Sequence, residues 1–167
     1  MEMENKLKIV SIRLNHDGDI CSDKTINGPE AAIEVFAEVL QDMDKEVLAV
    51  MNLRSGKVIN VNIVSMGTVN YTLALPSEVY KSAILSDATH IMLMHNHPTG
   101  NCVPSKADIE MTNHIIDAGK VIGIDVQDHI IVGYNQFYSM EREETVDFES
   151  HNCYFAQSNP VFAGRSR

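Results

Sequence analysis

The chain has 167 residues, 44% hydrophobic and 22% charged, the composition of one folded domain with its own core rather than of a disordered or fibrous segment. Its 13 Lys and Arg stand against 23 Asp and Glu, and a net charge of −10 argues against a protein held to nucleic acid mainly through phosphates. Cys21, Cys102 and Cys153 form no C-x-x-C and are odd in number, the start M-E-M-E-N-K-L-K has no apolar signal segment, and no apolar run approaches the ~20 residues of a membrane helix, so the expectation is a cytoplasmic chain with reduced thiols and no membrane partner.

In chain order, Lys8–Leu14 reads as an opening strand and His16–Asn27 as polar loop. Asn27-Gly-Pro-Glu30 reads as a helix start, with Asn27 as cap, Pro29 in the first turn and Glu30 at the capping-box position. Ile33, Phe36, Val39, Leu40 and Met43 then recur at helical spacing, a core-facing stripe. Val47–Leu53 is apolar on both faces, as a buried central strand is. Arg54-Ser-Gly-Lys57 is a hairpin turn leading into the alternating strand Val58–Ser65. Gly67 breaks it, and Val69–Leu75 is a further strand candidate. Pro76 opens a helix to about Leu85, and Ile91–Met94 is a short buried strand. Ser105 begins a helix ending near Ala118, with Gly119 as its C-cap. Val121–Val126 and His129–Gly133 read as two more strands. Glu141–Glu144 is a solvated acidic face, and residues 151–167 read as an irregular tail after a domain spanning 1–150. Adjacent strands with inserted helices give an α/β fold with a mixed sheet flanked by helices.

The chemistry lies in His95-Asn-His97-Pro-Thr-Gly-Asn-Cys-Val-Pro-Ser105-Lys-Ala-Asp108, directly after the strand Ile91–Met94. Residues two apart in an extended chain point to one side, so His95 and His97 present both imidazoles on one face. Pro98 and Gly100 turn the chain, and the helix opening at Ser105 carries Asp108 back toward the strand end. Two imidazoles and a carboxylate are the three protein ligands of a catalytic zinc site, with water in the fourth position. A plainer account exists for each part. Ser105-x-x-Asp108 resembles a capping box, and one pair of histidines two apart is unexceptional in a chain with seven. The combination asks for more: paired imidazoles repel when protonated and need acceptors when neutral, and a divalent cation answers both.

H-x-H, seven residues, S, two residues, D is the JAMM signature of the JAB/MPN metalloproteases, and His95, His97, Ser105 and Asp108 fit it without a gap. The wider stretch from Ala83 to Ile109, together with Asp128-His-Ile-Ile-Val-Gly133, resembles the RadC-like branch, and the similarity runs from about Lys8 to Arg142. Thr99 stands where close relatives commonly have Ser. The resemblance implies a single JAB/MPN-like, cytidine-deaminase-like domain. It implies zinc held by His95, His97 and Asp108, and Ser105 stabilising the oxyanion of a tetrahedral intermediate. It also implies an upstream glutamate that holds the metal's water and shuttles its proton; the matching position is Glu46, before the central strand. The activity implied is zinc-dependent hydrolysis of a peptide or isopeptide-linked protein substrate.

The rival reading is a non-catalytic JAB-fold interaction module that retains a zinc site. A zinc deaminase would need H-x-E or C-x-E with P-C-x-x-C, and neither occurs. H-E-x-x-H, G-x-S-x-G and G-x-G-x-x-G are absent too. Longer relatives carry a helix-hairpin-helix segment ahead of the JAB domain, and none is expected within these 167 residues. Asp128 and His129 are expected either to steer a ligand imidazole as a pair or to be a turn aspartate and a strand histidine. Cys102, between the ligands, is expected to be a passive small residue because the three-ligand set is complete without it.

Overall fold

The computed structural model describes residues 11, 13–21, 28–67 and 74–148. Five strands form one mixed sheet in the order β2-β1-β3-β4-β5. They are β1 (Glu46–Arg54), β2 (Lys57–Gly67), β3 (His90–Asn96), β4 (Asp125–Gly133) and β5 (Gln136–Ser139). Three helices accompany them: α1 (Pro29–Gln41), α2 (Pro76–Leu85) and α3 (Lys106–Ile122). Strands β1 and β3 pair antiparallel, as do β1 with β2 and β4 with β5. Strands β3 and β4 run parallel. A parallel pair needs a crossover, and α3 supplies it.

The double-sided burial read from Val47–Leu53 holds, because every one of those residues is buried. Alternation divides them between two cores. Leu48 and Val50 join the α2 and α3 side with Val79, Tyr80 and Ile115, whereas Val47, Ala49, Met51 and Leu53 face α1 through Ile33, Phe36 and Leu40. The same alternation on β3 sends Ile91 and Leu93 to the α3 side and Met94 to the α1 side. His95 follows Leu93 by two residues and thereby inherits the α3 face. The turn Ser55-Gly56 has φ of 51° and 71°, the left-handed pair of a type I′ hairpin, as Arg54-Ser-Gly-Lys57 implies.

Several expected elements are corrected. Helix α3 does not stop at Gly119; it continues to Ile122, and Gly123, at φ 83°, is its C-cap. Gly119 is a glycine for another reason, since a Cβ there would run into the Tyr80 hydroxyl and the Ile124 carbonyl. Val121 and Ile122 are therefore helical, and 80% and 40% exposed. Val121–Val126 and His129–Gly133 are not two strands. One strand, β4, spans Asp125–Gly133 across a bulge in which Met92 pairs with Asp128 and Gln127 is the extra residue. Strand β5 was not expected; the two-residue turn Tyr134-Asn135, with Asn135 at φ 54°, folds it back on β4. Helix α1 takes Gly28 rather than Asn27 as N-cap, without a side-chain cap bond; Asn27 itself lies outside the described residues.

Of the expected strand Lys8–Leu14, residues 11, 13 and 14 are described and none is in a strand; Leu14 is 46% exposed, with no burial to hold it on the sheet. Of Val69–Leu75, Ala74 and Leu75 are described, and they lead into α2 rather than forming a strand. The remainder of both segments, and the expected tail 151–167, lie outside the described residues. The acidic run Glu141–Glu144 is exposed, as expected. No helix among the described residues is long and apolar enough to cross a membrane.

Candidate metal centre

His95 is the sixth residue of β3, and His97 follows the last one, Asn96. His97 N–H donates to the Val132 carbonyl (2.9 Å), which keeps the chain extended one residue past the strand and both imidazoles on one side. The loop then closes tightly, with Gly100 N–H donating to the His97 carbonyl and Tyr134 N–H to the Gly100 carbonyl. Gly133 permits this approach, since a Cβ there would strike the Gly100 carbonyl and lie 3.2 Å from Cys102 Cβ. Cys102 thus packs on the end of β4. It is not part of the His95–His97–Asp108 group, the one convergent cluster of potential metal ligands among the described residues.

Asp108 arrives from the first turn of α3. Both readings of Ser105-x-x-Asp108 hold together: Asp108 N–H donates to Ser105 Oγ (3.2 Å), and Ser105 N–H donates to Asp108 Oδ2 (2.7 Å), a complete capping box. The cap orients the carboxylate instead of consuming it. Asp108 Oδ1 lies 3.5 Å from His95 Nε2, and Oδ2 lies 3.5 Å from His97 Nε2. One ligand atom from each of the three residues falls within 4.8 Å of the others.

The protonation pattern suits a cation. His97 Nδ1 lies 2.7 Å from the Asn101 carbonyl, an obligate acceptor, so Nδ1 carries the proton and Nε2 presents a lone pair. That Nε2 meets His95 Nε2 at 2.9 Å, beside a carboxylate. Two bare nitrogens and an anion need a positive centre between them; a proton supplies it in the absence of metal, and a metal ion can replace it. Accordingly, Asp108 raises the His97 pKa above its ordinary value, against the effect of burial. Burial drives His95 down to about 4. Burial also pushes the Asp108 carboxyl up, but His97, Ser105 and His95 outweigh it and hold the group well below the usual carboxylate range.

Glu46 opens β1, half-buried. The β1–β3 register pairs Leu48 with His95, so two residues back along β1 Glu46 stands level with His97. Burial and then Asp108 raise its carboxyl, and His97 draws it down, which places it within electrostatic reach of the cluster. Buried Asn96 fixes this approach. Its Oδ1 accepts from Val47 N–H (2.8 Å), and its Nδ2 donates to the Lys45 carbonyl (3.0 Å) and the Met43 carbonyl (3.3 Å). Sequence reasoning did not single out Asn96, because the segment it ties lies 49 to 53 residues away.

The Asp128–His129 pair separates. His129 Nε2 lies 2.7 Å from His95 Nδ1, but Asp128 accepts from His129 N–H, Ser139 Oγ–H and Glu141 N–H, and so holds the β4–β5 corner. Thr112, which touches the His129 ring at 2.6 Å, was missed altogether. A threonine inside a helix carries no sequence signal for such a contact.

In the metal-free protein the shifted histidines make stability depend on pH. An unfolded His95 takes its proton near pH 6.5 but the folded one only near 4, so the unfolded chain binds more protons in that window and stability falls as pH falls. His129, lowered by complete burial, acts in the same direction. His97, raised, does the reverse: its contribution is full below 6.5 and is lost as pH rises through its folded value. Lowering the pH from 7 to 5 is expected to remove about 2 kcal/mol through His95, offset in part by His97. Urea midpoints at the two pH values measure it, and equal midpoints would contradict the burial argument.

A family model for the RadC-like JAB domain matches residues 26–146. The chain belongs to the RadC-like JAB domain family. Among curated proteins, this RadC-like JAB chain is 36% identical over 126 residues to a UPF0758 protein of Caldanaerobacter subterraneus, covering 75% of the chain and 54% of that protein. It is 39% identical over 119 residues to a UPF0758 protein of Finegoldia magna, covering 71% and 53%. With a UPF0758 protein of Desulforamulus reducens the identity is 41% over 117 residues, covering 70% and 52%. The chain spans about half the length of the curated relatives it matches.

Proposed function

We infer that this RadC-like JAB domain is a zinc-dependent hydrolase of amide bonds, acting on peptide or isopeptide-linked protein substrates. The observation that carries the reading is the convergence of His95, His97 and Asp108 within 4.8 Å at the end of β3, with Glu46 in electrostatic reach. Two imidazoles and one carboxylate match the donor set of catalytic zinc sites, which leave a position for water. When bound, such an ion polarises the scissile carbonyl and makes the attacking water acidic near neutral pH.

The remaining work falls to the chain's own side chains. Glu46 takes the proton of the attacking water and returns it to the leaving amine; a carboxyl raised by burial is suited to both transfers. The exposed Ser105 hydroxyl accepts from Asp108 N–H, so its own proton remains to be donated to the carbonyl oxygen as negative charge builds there. Asn96 holds the strand entry that aims Glu46.

The test is to load the protein with zinc and follow cleavage of a panel of peptides and isopeptide-linked proteins before and after chelation. Cleavage that is lost on chelation and regained with zinc is expected. Failure to bind zinc would overturn the reading. Zinc bound tightly with no cleavage would turn it toward the interaction module.

A further inference from the structure

The two imidazoles hold their tautomers by different means. His97 uses a backbone carbonyl, but His95 Nδ1 meets another imidazole, His129 Nε2, which could either give or take a proton. The contacts beyond it decide the direction. His129 is wholly buried, and its two ring nitrogens meet an imidazole and a hydroxyl rather than a carboxylate, so it carries one ring proton. Its Nδ1 lies 2.6 Å from Thr112 Oγ1, and that oxygen is also 2.6 Å from the Asp108 backbone carbonyl. A carbonyl only accepts, and two oxygens this close need a proton between them, so the Thr112 hydroxyl donates to Asp108. Met140 Sδ, at 3.5 Å, is the poorer acceptor. With its proton committed, Thr112 Oγ1 accepts from His129 Nδ1–H. His129 Nε2 is then bare and accepts from His95 Nδ1–H. His95 Nε2 is left bare, facing Asp108 Oδ1 and His97 Nε2.

We propose that Thr112 and His129 form a one-way hydrogen-bond relay, anchored on the Asp108 carbonyl, that locks His95 in the tautomer presenting Nε2 to the metal. The relay begins on the backbone of one ligand and ends on the ring of another, tying α3, β4 and β3 together behind the site. Thr112 and His129 are positioning residues, since neither belongs to the three-residue cluster. The proposal rests on the metal-site reading for its purpose but not for its geometry.

Thr112→Val keeps the shape and removes the hydroxyl. His129 Nδ1–H then loses its acceptor, the His129 proton is free to move to Nε2, and His95 is pushed toward the Nε2–H form that cannot bind metal. In metal-free protein labelled with 15N-histidine, long-range proton–nitrogen correlations report the tautomer directly. Wild type is expected to show His95 protonated at Nδ1, and Thr112→Val to show a mixture. Zinc affinity, measured by competition with a chromophoric chelator, is expected to fall ~10–100-fold in Thr112→Val, as for other supports of a ligating histidine, and Thr112→Ser to restore both readouts. A Thr112→Val protein with wild-type tautomer and affinity would overturn the relay, as would a Thr112→Ser protein that fails to recover. Should Thr112→Val not fold, His129→Gln and His129→Leu ask the same question. The Gln carbonyl can still accept from His95 Nδ1–H and Leu cannot, so equal zinc affinities in the two would overturn the proposal. If wild type binds no zinc, the functional reading falls, while the His95 tautomer in the metal-free protein still tests the relay.

Discussion

Asp108→Ala is expected to reduce zinc affinity by at least ~100-fold, beyond what loss of an outlying support costs, and to abolish metal-dependent hydrolysis. Its carboxylate is the one anion in the cluster of His95, His97 and Asp108. Without it, a divalent ion would sit between two neutral imidazoles at the positive end of α3, where the helix dipole opposes a cation. Asp108→Ala also breaks the capping box, at a cost of about 1 kcal/mol to the metal-free fold. Asp108→Asn separates the two effects: the amide oxygen can still accept from Ser105 N–H, but the charge is gone. Zinc affinity lost, with metal-free stability above that of Asp108→Ala but below wild type because the charged contact to His97 is gone, is the expected result for Asp108→Asn, read by urea unfolding and chelator competition. An Asp108→Asn protein that binds zinc as wild type does would show that the capping role alone explains this residue.

The parts of the site that the sequence discloses are those set by short-range geometry. His95 and His97 share a face because strands repeat every two residues, and Asp108 returns because a tight loop and a capped helix follow at once. Glu46 is different. It reaches the cluster only through the pairing of β1 with β3, a long-range register that local pattern does not encode; the family resemblance supplied it. Thr112 and Asn96 had neither aid. Each acts through one tertiary contact from a position that local rules treat as ordinary: a hydroxyl inside a helix, and an amide on a buried strand.

Where the fold departs from the local sequence pattern, long-range contacts are again the cause. Gly119 looked like a helix stop, but its lack of a side chain serves the close approach of Tyr80 and Ile124, while the left-handed backbone belongs to Gly123. Gln127-Asp128 looked like a break between strands. The bulge absorbs Gln127, and three hydrogen bonds into the Asp128 carboxylate make a buried charge tolerable in mid-strand.

Glu46→Gln separates chemistry from metal binding in the opposite sense to Asp108→Asn. Glu46 is outside the ligand cluster, so zinc affinity is expected to hold; removal of a negative charge that Asp108 disfavours leaves the metal-free fold at least as stable. Hydrolysis is expected to fall by a factor on the order of 10²–10⁴, the usual contribution of a positioned acid–base group, because an amide neither takes the water's proton nor passes it to the amine. The decisive comparison is the turnover of zinc-saturated Glu46→Gln against zinc-saturated wild type on the same cleaved substrate. Asn96 gives this result an internal control. It leaves Glu46 chemically intact but ties Val47, Lys45 and Met43 in place, so Asn96→Ala should lower turnover by loosening the carboxylate's aim while its pH dependence stays that of wild type. Unchanged turnover in Glu46→Gln would remove this side chain from the proton path. The neighbouring charge relations would then be a consequence of packing a strand end against a metal site, and the base would have to be sought elsewhere.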